Sequence, residues 1–438
     1  MGEEKRSSSL SPRWRGGSAG EAGEGGCRRA MLAGLVLFLV LAGSPATAQD
    51  APVHGRFEVQ DAGDFFGGDS LAADFGAAQA HDVLANLRLT WEPTRGPWSL
   101  DIQSFLTVEN GPLVRLARAE AGLLPAPPST WFSLTGVLVD SGPTLATVAL
   151  DRLSLGYATP QWVVRVGRQA LTWGSGLVFR PMDLFDPFSP IATDTEYKPG
   201  VDMLYIQRLF ADGSDLQLVV VPRPPLAGEA PSSDASSVAL HYQKTLLGQR
   251  TTWLVARDHG DWVGGFGVNG PLKGATWNLE IVPTALQAEG VRVSGLANIS
   301  DALAVMGRNA TVFAEYFHNG FGVLGDVAYA DLPPGLADRL ARGQVFNIRQ
   351  DYLAGGMTVE LNPLVSIGPT VIVDLDDGSL FLLATGTFSL SDNLILIAGA
   401  QAPVGRAGSE FGGLPLTPGA PLLLAPPSRV YLQLRRYF

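Results

Sequence analysis

One stretch of the sequence, residues 165–202, concentrates charged and aromatic side chains that could select a solute. Its first part carries Arg165, Arg168 and Gln169 before Trp173. Its second part is rich in Pro and Gly and carries Arg180, Asp183, Asp186, Asp194, Glu196 and Lys198. Opposed cations and anions around a pore select solutes by charge and size. The pattern predicts a channel constriction; the simpler alternative is that these charges pair with one another and pin a plug.

We distinguish charged residues expected on the strands that would form the wall of the pore from charged residues on a loop that would lie inside it. Residues 171–199 form the candidate constriction or plug loop, with Asp183, Asp186, Asp194 and Glu196 as its anions. The other candidate pore-lining groups are Gln169, Arg180 and the wall cations Arg88, Arg152, Arg165, Arg168 and Arg208. For any single residue, we favour pairing within the protein over contact with a solute. Arg168 shares the parity of Val164 and Val166, so it could instead reach the outer rim.

Nucleophilic catalysis has little support in the sequence, because it requires a serine or similar nucleophile with a histidine base within reach. At Ser175 the first glycine of a G-x-S-x-G turn is replaced by Trp173, and no serine stands two residues after His318. The five histidines lack metal-ligand spacing. The run 376–378 (Asp-Asp-Gly) is more typical of a hairpin turn than of a calcium site. We therefore predict no enzyme, no metal and no cofactor.

The run Gly167-Arg168-Gln169 followed by Trp173-Gly174 resembles the "GRQ…WG" strand end of Gram-negative outer-membrane barrels. Porin-like and alginate-export-like proteins, mostly of unassigned substrate, are among these families. The resemblance covers residues 165–202 and the C-terminal strand. It implies a barrel fold more firmly than it implies any substrate.

The elements that would hold these residues are strands, because apolar and polar residues alternate with period two over about ten residues at a time. In 83–91, for example, Val83, Leu87 and Trp91 alternate with Asn86 and Arg88. Similar segments are 54–60, 83–91, 98–108, 150–158, 161–170, 201–208, 215–222, 236–244, 250–258, 261–269, 276–282, 290–299, 311–317, 353–361, 364–375, 379–390, 393–402 and 429–438. They predict an all-β fold, an antiparallel transmembrane β-barrel of about 16 strands (14–18), some segments being fused or wrong.

The C-terminal segment resembles the terminal β-signal of outer-membrane proteins, in which a final aromatic residue closes an amphipathic strand. Val430, Leu432 and Leu434 alternate with polar residues, and the chain ends at Phe438. Arg436 departs from the pattern, which usually has an apolar or aromatic residue there. The resemblance implies that Phe438 is the assembly signal read by the barrel-assembly machinery.

Turn positions predict which loops face outward, because such barrels have short periplasmic turns and long outer loops. If the last strand ends at the periplasm, the turns at Thr159-Pro160, Asn362-Pro363 and 391–393 are periplasmic. The loops 171–199, 318–349 and 403–428 then face outward. Within the second, a proline start and a glycine stop predict a short helix over 336–342.

The N-terminus predicts export. Arg28 and Arg29 precede an apolar run, and Ala46-Thr47-Ala48 completes the signal-peptide pattern, with cleavage expected after Ala48. Residues 1–48 are thus an extension and signal peptide, and 49–438 are the barrel. The mature chain keeps 25 basic and 38 acidic residues, a net charge of −13, which argues against nucleic acid as a partner. Its lack of cysteine excludes an internal disulfide.

The sequence favours a channel in the cell outer membrane that lets small polar solutes diffuse or be exported. Outer-membrane lipid, the assembly machinery and the solute are its expected partners. An outer-membrane enzyme of lipase or hydrolase type and a soluble secreted β-protein are the alternatives. The identity of the solute and the oligomeric state are not predicted.

Overall fold

A computed structural model describes residues 53–119, 130–226 and 228–438. The predicted signal peptide and its cleavage site lie outside the described residues. Eighteen antiparallel strands, β1 to β18, form a closed ring in which each strand is hydrogen-bonded to the next and β18 to β1. Their bounds, in order, are His54–Phe65, Gln79–Trp91, Trp98–Asn110, Thr144–Ala158, Trp162–Gln169, Val201–Leu209, Asp215–Val221, Ser237–Leu246, Gln249–Asp258, Asp261–Leu272, Ala275–Leu286, Gly290–Val305, Arg308–His318, Asp351–Asn362, Val365–Asp374, Leu380–Ser391, Leu394–Val404 and Ser428–Tyr437.

The all-β antiparallel barrel is confirmed, but it has 18 strands, the upper limit of the predicted range of 14–18, and not about 16. Each alternating segment of the sequence coincides with one wall strand, and the error lay in expecting some segments to fuse. Two short strands, Thr94–Arg95 and Thr135–Ser141, extend the sheet without joining the ring. The ring closes where Arg56 of β1 lies opposite Tyr437 of β18.

Alternation along the strands separates an apolar outer face from a polar inner face. In β18, Val430 and Leu432 are 52% and 53% exposed, whereas Tyr431 and Gln433 are 6% and 0% exposed. An outward apolar wall around a polar interior is the pattern of a barrel that sits in lipid.

The two ends of the barrel differ in the length of their connections. At one end the strands are joined by short turns such as Leu247-Gly248, Lys273-Gly274 and Met306-Gly307, in which both residues have positive φ, as type I′ turns require. The predicted short turns at 159–160, 362–363 and 391–393 all lie at this end. The opposite end, which we call the long-loop end, carries the connections 66–78, 111–143, 170–200, 222–236, 319–350 and 405–427.

Short helices lie in the connections of the long-loop end. They are α1 (Leu71–Asp74), α2 (Pro112–Ala119) and α3 (Pro334–Ala341). The helix predicted over 336–342 is confirmed as α3, which starts at a proline and is followed by Gly343 at φ 65°. Among the described residues, no helix is long and apolar enough to cross a membrane.

Candidate functional site

Residues 170–200, which join β5 to β6, fold into the barrel and follow its inner wall. We call them the lumen loop. Trp173 contacts β7 and β8, residues 175–179 contact β11 to β14, Ile191 contacts β17, and residues 194–197 contact β18, β1 and β2. At the end of the loop, the backbone N–H of Gly200 donates a hydrogen bond to Asp151 of β4. The loop thus makes an almost complete circuit and occupies lumen space beside all of these strands.

The first half of the lumen loop packs mainly through apolar and aromatic side chains. Trp173 stacks on His241 with ring centroids 4.8 Å apart, and its Nε1 donates a 2.9 Å hydrogen bond to Gln217. Phe179 stacks on Phe317 of β13 at 4.6 Å. Because aromatic contacts of this kind add to the burial of apolar area, they hold the loop firmly against the wall.

A wall carboxylate holds the turn of the lumen loop by its backbone. Glu315 of β13, 1% exposed, accepts hydrogen bonds from the backbone N–H groups of Leu177 (2.6 Å), Val178 (2.9 Å) and Phe179 (2.7 Å). Asn298 also donates to Glu315 at 2.9 Å. Glu280 of β11 accepts from the backbone N–H of Ser175 in the same way. Successive N–H groups that converge on one anion form a nest, and here the anion belongs to the wall.

The glycines of the Trp173-Gly174-Ser175-Gly176 run make this nest sterically possible. Gly174 has φ 89°, and a Cβ added at Gly176 would lie 1.7 Å from the carbonyl oxygen of Phe179. Only glycine fits such a close backbone approach. The Trp173-Gly174 part of the motif therefore has a structural role here, because it lets the backbone of the loop turn around the Glu315 carboxylate.

The second half of the lumen loop carries two anions that bind the first and last strands of the ring. Arg56 of β1 donates to Glu196 at 2.7 Å and to Asp194 at 3.0 Å. Arg435 of β18 lies 3.1 Å from each of the same carboxylates, and Tyr437 donates to Glu196 at 2.9 Å. Burial opposes the charge of Asp194, but its bond to the backbone of Glu196 and the two arginines hold its pKa below the usual value.

Tyr197 lies between two wall arginines. Its ring centroid is 4.8 Å from the guanidinium carbon of Arg56 and 4.1 Å from that of Arg88. Cation–π attraction of this kind is strongest where water is excluded, and both arginine side chains are buried. The loop therefore binds β1 and β2 by an aromatic ring as well as by carboxylates.

A buried ion pair ties the two halves of the lumen loop together. The Lys198 ammonium lies 2.7 Å from both carboxylate oxygens of Asp183. Burial raises the pKa of Asp183 to about 6 in spite of this partner, and it lowers the pKa of Lys198. Burial likewise raises the pKa of Asp186 to about 6, and this residue has φ 60°. Neither aspartate bonds a wall cation, which differs from the opposed arrangement predicted for them.

The predicted wall cations Arg88 and Arg152 meet at a β-bulge in β4. The register shifts beside Ser104, so Asp151 and Arg152 both reach the lumen side. Asp151 lies 2.8 Å from Arg88 and 2.9 Å from Arg152, and it accepts a 3.0 Å hydrogen bond from the backbone N–H of Gly200. These two arginines thus bind a wall aspartate that holds the end of the loop.

The remaining predicted pore-lining residues are spread over the lumen. Arg165 lies over the ring of Tyr205 at 4.7 Å, and Gln169 donates to the carbonyl of Met203 at 3.4 Å. Arg180 lies 5.5 Å from the ring centroid of Phe188, within the loop itself. These residues do not form a single cluster.

Two predicted positions are corrected. Arg208 is not a lumen cation: it lies over Trp162, its partner across the sheet, on the face opposite to the buried Tyr205. Arg168 does lie on the outer face, but it is 6% exposed rather than at the lipid surface. It binds Asp202 at 2.9 Å and is covered by the backbone of Phe132.

Sequence reasoning missed the wall residues that bind the loop most directly, which are Arg56, Asp151, Glu280, Glu315 and Arg435. A usable signal was a charged residue at an inward position of an apolar strand, as at Glu315 between Phe313 and Phe317. The bulge that turns Asp151 inward leaves no such signal, because it depends on the neighbouring strand.

The features considered for catalysis lie apart. Ser175 Oγ accepts a 3.0 Å hydrogen bond from Asn269, whereas His318 pairs with Asp351 at 2.8 Å, so within the described residues the serine has no histidine partner. No group of three His, Cys, Asp or Glu residues in the described part of the chain could hold a metal ion. The run 376–378 forms part of a turn between β15 and β16.

The sequence matches no protein-family model, and it matches no curated protein. The structure is similar to solved barrels. OccK5 (OpdH) of Pseudomonas aeruginosa has a TM-score of 0.53 at 9% identity, over 88% of this chain and 98% of that chain. OccAB1 of Acinetobacter baumannii has a TM-score of 0.50 at 9% identity, over 91% and 98%.

Wzi of Escherichia coli is similar at a TM-score of 0.51 and 9% identity, over 94% of this chain and 88% of that chain. It is described as an outer-membrane protein involved in group 1 capsule assembly and as a carbohydrate-binding β-barrel. At such low identity these similarities concern the fold alone. The chain has the closed β-barrel fold that OccK5, OccAB1 and Wzi share.

Proposed function

We propose that the protein is a porin-like channel of the outer membrane for small polar solutes, and that the lumen loop is its constriction. The observation that carries the proposal is the loop's circuit inside the barrel, where it is bound to strands on every side. A loop that merely connected β5 to β6 outside the barrel would need none of the buried bonds to Glu315, Arg56 and Arg435.

The distribution of charge supports a polar path. Cations of the wall lie on β18, β1, β2, β4 and β5, and they are Arg435, Arg56, Arg88, Arg152 and Arg165. Carboxylates Glu280 and Glu315 lie on β11 and β13, about half a ring away. Glu58 of β1 and Asp151 of β4 lie among these arginines and pair with four of them. Charged groups of both signs thus line the lumen, and a charged lining favours polar over apolar solutes.

The apolar outer wall and the neighbours' fold support an outer-membrane location, with the long loops outside and the short turns in the periplasm. Recognition of Phe438 by the assembly machinery is proposed from the resemblance of the C-terminal strand to a β-signal. The backbone of Phe438 pairs with that of Gly55 at the closure of the ring, at 2.8 Å and 3.1 Å. Fractionation tests this part: the barrel should be extracted from outer membranes by detergent and change its gel mobility on heating. Release of the protein as a soluble species contradicts the location.

Planar-bilayer recording tests the channel itself. We expect discrete conductance steps from the purified protein. We also expect larger steps when residues 181–198 are replaced by Gly and Ser at the same length, which removes their side-chain anchors. The matched control is the same replacement in residues 224–236 of another long connection, which should leave the step size unchanged. Absence of any step contradicts the channel, and equal steps in both replacements contradict the constriction.

A further inference from the structure

Beside the lumen loop, the connections at the long-loop end enclose a cavity of about 480 Å³, which we call the vestibule pocket. It is lined from five connections by residues that include Phe66, Leu116, Ile191, Tyr329, Phe346 and Phe411, and Leu424 also lies in the lining. Cavities of this size, lined mainly by apolar and aromatic groups, are typical of small-molecule binding sites.

The two charged residues of the lining already have polar partners. Glu410 accepts hydrogen bonds from the Tyr352 hydroxyl, from the backbone N–H groups of Ile348 (3.1 Å) and Arg349 (3.0 Å), and from Asn347 (3.2 Å). Arg429 binds Asp64 through two hydrogen bonds of 2.7 Å and 3.1 Å. A charged ligand would lose its hydration in this pocket, where Arg429 is paired with Asp64 and the Glu410 carboxylate is occupied by four hydrogen bonds. The pocket therefore favours an uncharged occupant.

The pocket reaches the lumen loop through Ile191, which is part of its lining. The backbone carbonyl of Ile191 accepts a 2.9 Å hydrogen bond from Gln401 of β17, and Asp194 lies three residues further along the loop. A molecule in the pocket would thus contact the loop just before the anions that bind Arg56 and Arg435.

We infer that the vestibule pocket binds an uncharged small molecule with an aromatic or alicyclic body, at the long-loop end of the barrel and against the lumen loop. Burial of such a body removes apolar surface from water, which favours binding. Binding to the pocket does not depend on the proposed channel. Only the idea that a solute binds there before it enters the channel rests on that function.

The probe for the test is 4-bromobenzyl alcohol, with 4-bromobenzoate and 4-bromobenzylamine as charged analogues of similar shape. Crystals soaked in the alcohol should show a bromine anomalous peak in the vestibule pocket. In titrations with the intact protein in lipid nanodiscs, corrected for empty nanodiscs, the alcohol should bind more tightly than either ion.

Two variants locate the site in solution. Leu424→Trp fills part of the pocket from a half-buried position and should weaken binding of the alcohol by about tenfold or more. Leu324→Trp changes an exposed residue of connection 319–350 outside the lining, so it should bind the alcohol as the parent does. Heat-dependent gel mobility establishes that both variants fold.

Tighter binding of either charged analogue, no bromine peak in the pocket, or equal affinity in the Leu424→Trp variant would each overturn the inference. Conductance recorded on the same preparations separates the two proposals. Normal conductance without binding of the alcohol contradicts the proposed binding site but not the channel. Binding without conductance contradicts the channel but not the binding site.

Discussion

Arg56, near the start of the first wall strand, donates a 2.7 Å hydrogen bond to Glu196, near the end of the lumen loop. The same carboxylate accepts a 3.1 Å hydrogen bond from Arg435 of the last strand. Glu196 thus binds both strands that close the ring, so the position of the loop and the closure of the barrel are coupled through one side chain.

This coupling predicts that Glu196→Gln lowers the stability of the barrel and loosens the loop together. The amide keeps the shape of the carboxylate but removes its charge, and hydrogen bonds to charged groups contribute about 1.5–3 kcal/mol. We expect a lower midpoint temperature in heat-dependent gel mobility and larger, noisier conductance steps. Glu360→Gln, near the short-turn end, is the matched control and should change neither. A variant with the parent's midpoint temperature and step size would show that the closure between β1 and β18 does not depend on Glu196.

Glu315→Gln is expected to release the first half of the loop. One carboxylate now serves three backbone N–H groups and Asn298, and an amide offers a single acceptor oxygen, so at least one buried donor is left unsatisfied. The loss of about 1–3 kcal/mol per unsatisfied group should appear as faster hydrogen exchange at residues 175–179. Exchange at the parent's rate would contradict the pinning role, and Glu360→Gln is again the control.

Gly176→Ala should have a similar effect by a steric route. The added Cβ would meet the carbonyl oxygen of Phe179 at 1.7 Å, so the nest around Glu315 must open. Gly68→Ala is the control, because no atom lies within 4 Å of a Cβ at that position. We expect protease cleavage within residues 171–199 of the Gly176→Ala protein and none there in the control protein. Equal resistance in both would refute the steric argument.

The wall of the barrel was readable from the sequence because alternation with period two is a local property of each strand. Strand β6 is the exception. In β6 both faces are apolar, since Leu204 and Ile206 face outward while Met203 and Tyr205 pack on the lumen loop. Arg208 was therefore assigned to the wrong face of this strand, where the polar alternation that marks the lumen elsewhere is missing.

The partners within the site were not readable in the same way. Arg56 and Arg88 are inward cations that lie directly opposite each other on neighbouring strands, yet Arg56 meets Glu196 of the lumen loop while Arg88 meets Asp151 of β4. Glu315 and Phe179 are 136 residues apart, and the sequence holds no pattern that joins them. Local periodicity predicts which face of the sheet a residue occupies. The partner of that residue depends on the path of the lumen loop inside the barrel, which periodicity does not predict.

The aspartates of the lumen loop predict a dependence on pH with a definite sign. Burial raises the pKa of Asp183 and of Asp186 to about 6 from the usual 3.8, so the docked loop binds protons more tightly than the released loop between these values. Docking is therefore favoured as the pH falls from about 6 towards 4, and it weakens as the pH rises through that window. Asp194 does not oppose this trend, because its lowered pKa places its titration below the window.

We accordingly expect smaller and quieter conductance steps at pH 4.5 than at pH 7. The charged groups that face the two aspartates are Lys198, Arg180, Arg152, Arg223, Asp151 and Glu280. The double variant Asp183→Asn, Asp186→Asn carries no titrating carboxyl at either position, so its step size should change less with pH than that of the parent. A parent channel that opens wider on acidification, or a double variant that keeps the parent's pH response, would place the titrating group elsewhere in the lumen.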